Sequence, residues 1–132
     1  GPMTDYTYKN LKDDVEDSAT KFGLSPALET HFAREPLGLQ NSGVSYLRLA
    51  PGERVPFGHT HKEQEEVYVV VGGAGRVKLD DEILELRQWD AVRIPPETMR
   101  NLEGGPDGIE VLLFGAPKAG FGDVEMTQGW WT

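Results

Sequence analysis

The sequence predicts an all-β protein, a sandwich or barrel of short antiparallel strands in a single domain, and three observations carry that reading. Short apolar runs recur at near-regular spacing over residues 44–49, 67–71, 76–79, 83–86, 91–94 and 109–114. Several of them alternate, as in Arg76-Val77-Lys78-Leu79 and Ile109-Glu110-Val111-Leu112-Leu113, so that one set of side chains points inward. The 16 glycines and 9 prolines fall between the runs and supply the tight turns that many short strands need.

Taken in order, Gly1 and Pro2 ahead of Met3 read as the scar of a cleaved expression tag, with Met3 as the native start. Residues 3–39 form an N-terminal arm and an edge strand. Within the arm, residues 10–21 are highly charged and offer only Leu11, Val15 and Ala19 as a loose i, i+4 stripe, which predicts a loop with at most one short helix. Residues 28–34 suit the edge strand. Over 44–49, alternation does not choose between Tyr46 with Arg48 and Leu47 with Leu49 as the inward pair. The run at 67–71 is apolar on both faces and rich in β-branched residues, which predicts a central strand covered on both sides. Asp80-Asp81-Glu82 reads as a solvated hairpin turn between two antiparallel strands. Trp130 and Trp131 near the C-terminus are expected to pack on the body of the protein or to cover an opening.

A chain of 132 residues suits one domain and buries enough surface for one core without disulfides. Cysteine is absent, which excludes thiolate metal sites, iron–sulfur chemistry and cysteine nucleophiles and fits a reducing compartment. The formal charge of -9 disfavours nucleic acid and anionic lipid as partners, since no basic stripe offsets it. Neither a stretch of ~20 apolar residues nor a basic-then-apolar leader is visible, so no membrane association is expected and the protein is expected to be cytoplasmic.

The segment that carries chemistry is Gly58-His59-Thr60-His61-Lys62-Glu63-Gln64-Glu65-Glu66-Val67. In an extended segment positions i and i+2 project to one face, so His59 and His61 present two imidazoles to one point. A charged turn follows, and then a strand opened by Glu66. Two neutral imidazoles and one carboxylate with positions left open suit a divalent first-row metal such as iron, manganese, nickel or zinc. On spacing alone the same residues also suit a pocket lining and an ordinary charged turn.

The stretch resembles the first motif of the cupin family, G-x5-H-x-H-x3-4-E-x6-G, through His59, His61, Glu66 and Gly73, with Gly52 one residue too far upstream. Glu65 with Gly72 also satisfies the spacing; Glu66 is preferred because it shares strand parity with Tyr68 and Val70. The second motif, G-x5-P-x-G-x2-H-x3-N, is eroded. Trp89 stands at its first glycine, Pro95 keeps the proline, Glu97 replaces the second glycine, and Arg100 occupies the histidine position that usually supplies a fourth ligand. The resemblance covers residues 40–116 as the barrel core, leaves 117–132 as a C-terminal extension, and implies a jelly-roll antiparallel β-barrel, the double-stranded β-helix, in a small single-domain member.

Arg100 separates two functional readings. A guanidinium about 5 Å from a bound cation repels it by several kcal/mol at an effective dielectric near 20. Turned inward, Arg100 would pair with Glu66 in a metal-free pocket or bind an anionic ligand bridging it to a metal; turned outward, it would be solvated. Tyr46, Arg48 and Tyr68 are the further candidates for binding a small molecule. His31 has no partner at ligand spacing and reads as a surface or edge histidine. The resemblance therefore implies a divalent metal held by His59, His61 and Glu66 beside a small organic ligand, in an enzyme of dioxygenase, isomerase or lyase type. The alternative is a non-catalytic ligand-sensing module. A homodimer formed through an edge strand is expected in either case.

Overall fold

The structure is a computed structural model and describes residues 4–132, so the readings placed on Gly1, Pro2 and Met3 lie outside it. Its strands are β1 (Leu28–Phe32), β2 (Gly43–Leu49), β3 (Phe57–His61), β4 (Glu65–Leu79), β5 (Glu82–Arg87), β6 (Ala91–Ile94), β7 (Arg100–Ala116) and β8 (Val124–Gln128). A one-turn helix, α1 (Arg34–Leu37), follows β1, and a 3-10 turn, Phe121–Asp123, precedes β8.

β4 and β7 are long enough to run through both halves of the one continuous sheet that the described strands form. The first half of β4 pairs with the second half of β7, Val70 opposite Val111, while β2 and then β1 continue beyond β7 and β6 flanks β4. The second half of β4 pairs with the start of β7, Leu79 opposite Arg100, while β5 flanks β4 and β3 and then β8 continue beyond β7. Every ladder is antiparallel, and the two bent strands fold one half of the barrel over the other.

Residues 67–71 and 76–79, expected as two strands around a turn, are one bent strand. Register shifts fall between Val70 and Gly72 and between Gly73 and Gly75. Gly73 sits at φ +65, and a Cβ there would lie 2.2 Å from the carbonyl oxygen of Gly108. Only glycine lets β7 approach so closely, and the bend follows.

The core decides what alternation left open. Leu47 and Leu49 stand opposite Val111 and Ile109, and Leu49, Val111 and Ile109 are all buried. Tyr46 and Arg48 therefore occupy the other face, opposite Leu112 and Glu110. Tyr68 and Val70 join the core, whereas Val67, Val69 and Val71 are only half-buried, so the strand is central in hydrogen bonding but fully covered on one face alone. The hairpin turn lies where acidic composition put it, between Leu79 and Glu82.

Residues 10–21 form turns without a helix. The Asn10 side chain accepts from the amides of Lys12 and Asp13, and Asp17 accepts from those of Ala19 and Thr30, contacts that close local turns and tie the arm to β1. Val15 and Ala19 are nonetheless buried and fasten the arm to the barrel. At the other end Trp131 is buried, with the guanidinium of Arg54 stacked 4.2 Å from its ring centre. Among the described residues no helix is long and apolar enough to cross a membrane.

Candidate metal centre

β3 places His59 and His61 on its inner face, and a short turn returns the chain so that Glu66 enters from β4. One nitrogen from each imidazole and one carboxylate oxygen of Glu66 all lie within 4.8 Å of one another. Glu66 Oε1 is 3.1 Å from His61 Nε2 and 3.7 Å from His59 Nε2. The choice between the two glutamates is resolved by the pleat: Glu66 is 9% exposed, whereas Glu65 faces outward near Arg93.

Arg100 points inward and is wholly buried. It stands opposite His59 across the β3–β7 ladder, and its Nη1 donates to Glu66 Oε1 at 2.6 Å. Its other donors reach backbone: Nη2 to the carbonyls of Pro95, Pro96 and Thr98, and Nε to that of Thr98. The outward orientation is excluded because the turn before β7 supplies the acceptors that a buried guanidinium requires.

These contacts fix the charge states. Burial works against ionisation of Glu66, but the His59 and His61 rings and the charge of Arg100 outweigh it and hold its carboxyl well below the usual carboxylate range. Burial pushes the His59 imidazole below its ordinary value, and the Arg100 charge adds to that, which favours the neutral ring a metal requires.

Asp123 is a site residue that sequence reasoning missed. Its Oδ2 accepts from His61 Nδ1 at 2.9 Å, its Oδ1 accepts from the Glu63 amide at 2.8 Å, and the Gln64 amide donates to Oδ2 at 3.3 Å. Nothing in the sequence marks it, because it lies 62 positions from His61 in the segment read for its tryptophans.

Of the remaining candidates the structure brings one to the centre. Tyr68 lies on the face of Glu66 two residues further along β4 and is buried, and burial together with the Glu66 charge pushes its phenol far above the ordinary value. Tyr46 and Arg48 do not join it. The Tyr46 hydroxyl donates to Glu110 Oε2 at 2.9 Å, and Arg48 Nε donates to Glu29 Oε1 at 2.9 Å, both on the outer face. The reason is the inward packing of Leu47 and Leu49. His31 is buried beside them rather than on the surface, between the Val15 carbonyl and the Glu29 carboxylate.

The donor set fits a divalent ion by one test internal to the structure. Among the described residues His61 Nε2 is buried without a hydrogen-bond partner, since its approach to Glu66 is off the line of a hydrogen bond, while Nδ1 is taken by Asp123. A buried unpaired nitrogen costs free energy unless something binds it. Glu66 has oxygen lone pairs to spare beyond the one that Arg100 uses. His59 Nε2, His61 Nε2 and Glu66 are thus the atoms that would hold a cation, with the Arg100 charge opposing it.

Comparison with known proteins agrees with this geometry. The Cupin domain family model matches residues 45–104. An uncharacterised protein of Methanocaldococcus jannaschii is 31% identical over 71 residues, a match spanning 53% of this chain and 57% of that relative's length. A cupin protein from Bacteroides fragilis superposes with a TM-score of 0.71 at 27% identity, covering 90% of this chain and 92% of its own. An oxalate decarboxylase variant of B. subtilis superposes with a TM-score of 0.75 at 20% identity, over 97% of this chain and 33% of its own, which shows a shared fold. The matched domain, the jelly-roll strand order and the inward His59, His61 and Glu66 agree, and this chain has a cupin fold whose residues 45–104 match the Cupin domain.

Proposed function

We propose that the chain holds a divalent transition metal, iron, manganese, nickel or zinc, through His59, His61 and Glu66, and acts there on a small organic molecule. The observation that carries this reading is the convergence of three ligand atoms within 4.8 Å around a buried His61 Nε2 that has no hydrogen-bond partner. A metal so held supplies a Lewis acid for a carbonyl or enediol, or for the activation of water or O₂. The chain's own residues do the rest. The His59 side chain, 20% exposed, is the solvent-facing edge of the centre, while His61 is sealed behind it. Arg100 adds to the two imidazoles in keeping Glu66 ionised and offers positive charge to an anionic group that enters beside it. An oxalate decarboxylase on the same fold supports an enzymatic role as a class without transferring a substrate.

A second reading is favoured by a specific contact. The 2.6 Å bond between Arg100 and Glu66 closes the centre with an internal ion pair, the arrangement expected of a metal-free cupin that binds a ligand without turnover. Elemental analysis of protein purified without chelator, alongside the H59A/H61A double variant, separates the two. Near-stoichiometric metal in the parent that is lost in the variant supports the metal reading. A parent that stays metal-free after incubation with Fe(II), Mn(II), Ni(II) and Zn(II) supports the ion-pair reading.

A further inference from the structure

Asp123 lies outside the matched family region, on the 3-10 turn before β8, yet its hydrogen bonds reach His61 and the turn that joins β3 to β4. Its carboxylate is a hydrogen-bond acceptor only, so the 2.9 Å contact with His61 requires the proton on His61 Nδ1. In the neutral ring the lone pair then falls on Nε2, the nitrogen that faces Glu66 and has no hydrogen-bond partner among the described residues. The same carboxylate takes the amides of Glu63 and Gln64, inside the turn that separates His61 from Glu66. The Asp123 carbonyl accepts the Lys62 amide at 2.8 Å, and Val124 stands opposite His61 in the β3–β8 ladder. Three consecutive amides of the turn are therefore tied to one residue of the C-terminal segment.

We infer that Asp123 is the positioning residue of the centre: it holds the proton on His61 Nδ1, aims Nε2 inward, and fixes the turn that spaces His61 from Glu66. The inference rests on the proposed metal reading for its consequence but not for its geometry. Orienting groups of this kind change metal affinity by ~10–100-fold when removed. It follows that residues 121–124, distant in sequence from the histidines, belong to the site, and that a chain shortened before them would keep every ligand and lose their alignment.

The test uses the whole 132-residue chain and its D123N variant. With its oxygen on the Glu63 amide, the Asn side chain sets an NH₂ group against His61 Nδ1 and the Gln64 amide, which reverses the favoured tautomer. The ring ¹⁵N signals of His61 in the metal-free proteins at about pH 8, where an ordinary imidazole is neutral, are the first readout. The parent is expected to show a protonated Nδ1 and an unprotonated Nε2, and D123N the reverse. Titration with Zn(II) is the second, with a ~10–100-fold weaker dissociation constant expected for D123N. A purely structural Asp123 would lower the melting temperature of D123N and leave both the ring signals and the zinc affinity of the folded protein unchanged. A parent ring protonated on Nε2 alone, or a D123N protein in which neither the ring signals nor the zinc affinity changes, overturns the inference. If the parent takes up no metal, the proposed function fails, and the ring signals still decide the role of Asp123.

Discussion

Arg100 Nη1 and Glu66 Oε1 meet at 2.6 Å inside the barrel, and the same oxygen is the point on which both histidines converge. A guanidinium therefore competes for the carboxylate that a cation would use. Replacing it with the residue of the family motif, Arg100→His, removes the repulsion and adds a ligand. The variant is expected to bind Zn(II) at least tenfold more tightly than the parent in a competition titration. Its metal-free form is expected to be less stable by ~3 kcal/mol, as when one partner of a buried pair is removed, because the Pro95, Pro96 and Thr98 carbonyls lose their donor. Unchanged or weaker zinc binding would show that Arg100 does not oppose the cation.

Glu103 holds two arginines with one carboxylate. Arg54 Nη2 donates to Oε2 at 2.6 Å and Arg76 Nη2 to Oε1 at 2.7 Å, and both guanidiniums lie over the Trp131 ring. Glu103→Gln leaves two like charges facing each other beneath the tail. A loss of about 1–3 kcal/mol in chemical denaturation is expected, with a red-shifted tryptophan emission as Trp131 meets water. Denaturation and emission both unchanged would mean that the tail is held by other contacts.

His31 ties the N-terminal arm to β1. Its Nδ1 faces the Val15 carbonyl at 2.7 Å and its Nε2 faces the Glu29 carboxylate at 2.7 Å; both partners only accept, so both bonds form only when the ring is doubly protonated. Burial favours the neutral ring, but the Glu29 carboxylate and the Val15 carbonyl outweigh it and raise the imidazole above its ordinary 6.5. A raised value means that the contribution is fully present below pH 6.5 and is lost as pH rises through the folded-state value. The melting-temperature gap between the parent and His31→Leu is therefore expected to be widest on the acid side and to narrow as pH rises. A gap that widens with pH would contradict the doubly protonated ring.

The parts of the site legible in the sequence are those decided within a few residues. His59, His61 and Glu66 are fixed by strand parity and a short turn, and they converge in the structure. Arg100 was legible as a position but not in direction, because what turns it inward is a cluster of carbonyls on the preceding turn. The side taken by Tyr46 and Arg48 is open in the sequence because a strand with polar residues on one face and leucines on the other still needs its neighbours, Val111 and Ile109, to choose the core side. Asp123 left no local trace at all: its role depends on β8 pairing with β3. The bend of β4 was visible only as glycines, since a turn and a pair of bulges share that composition.

Trp89 occupies the position of the second motif's first glycine, and the structure gives the physical reason for a glycine there. Its φ is 75, in the left-handed region that costs most side chains ~1–2 kcal/mol. The backbone is held in that conformation from both sides: the Trp89 amide donates to the Val70 carbonyl at 2.8 Å and the Asp90 amide to the Arg87 carbonyl at 3.0 Å. The indole does little to repay the strain, being 71% exposed. Trp89→Gly relieves the strain and gives back part of the gain as unfolded-chain entropy, so a net stabilisation of roughly 0.5–1 kcal/mol is expected. Thermal unfolding of the metal-free protein reads this directly, and zinc affinity is expected to stay at the parent value because the turn lies at the far end of β6 from Ile94, which stands opposite Glu66. A glycine variant that melts below the parent would show that the exposed indole makes a contact worth more than the backbone strain it imposes.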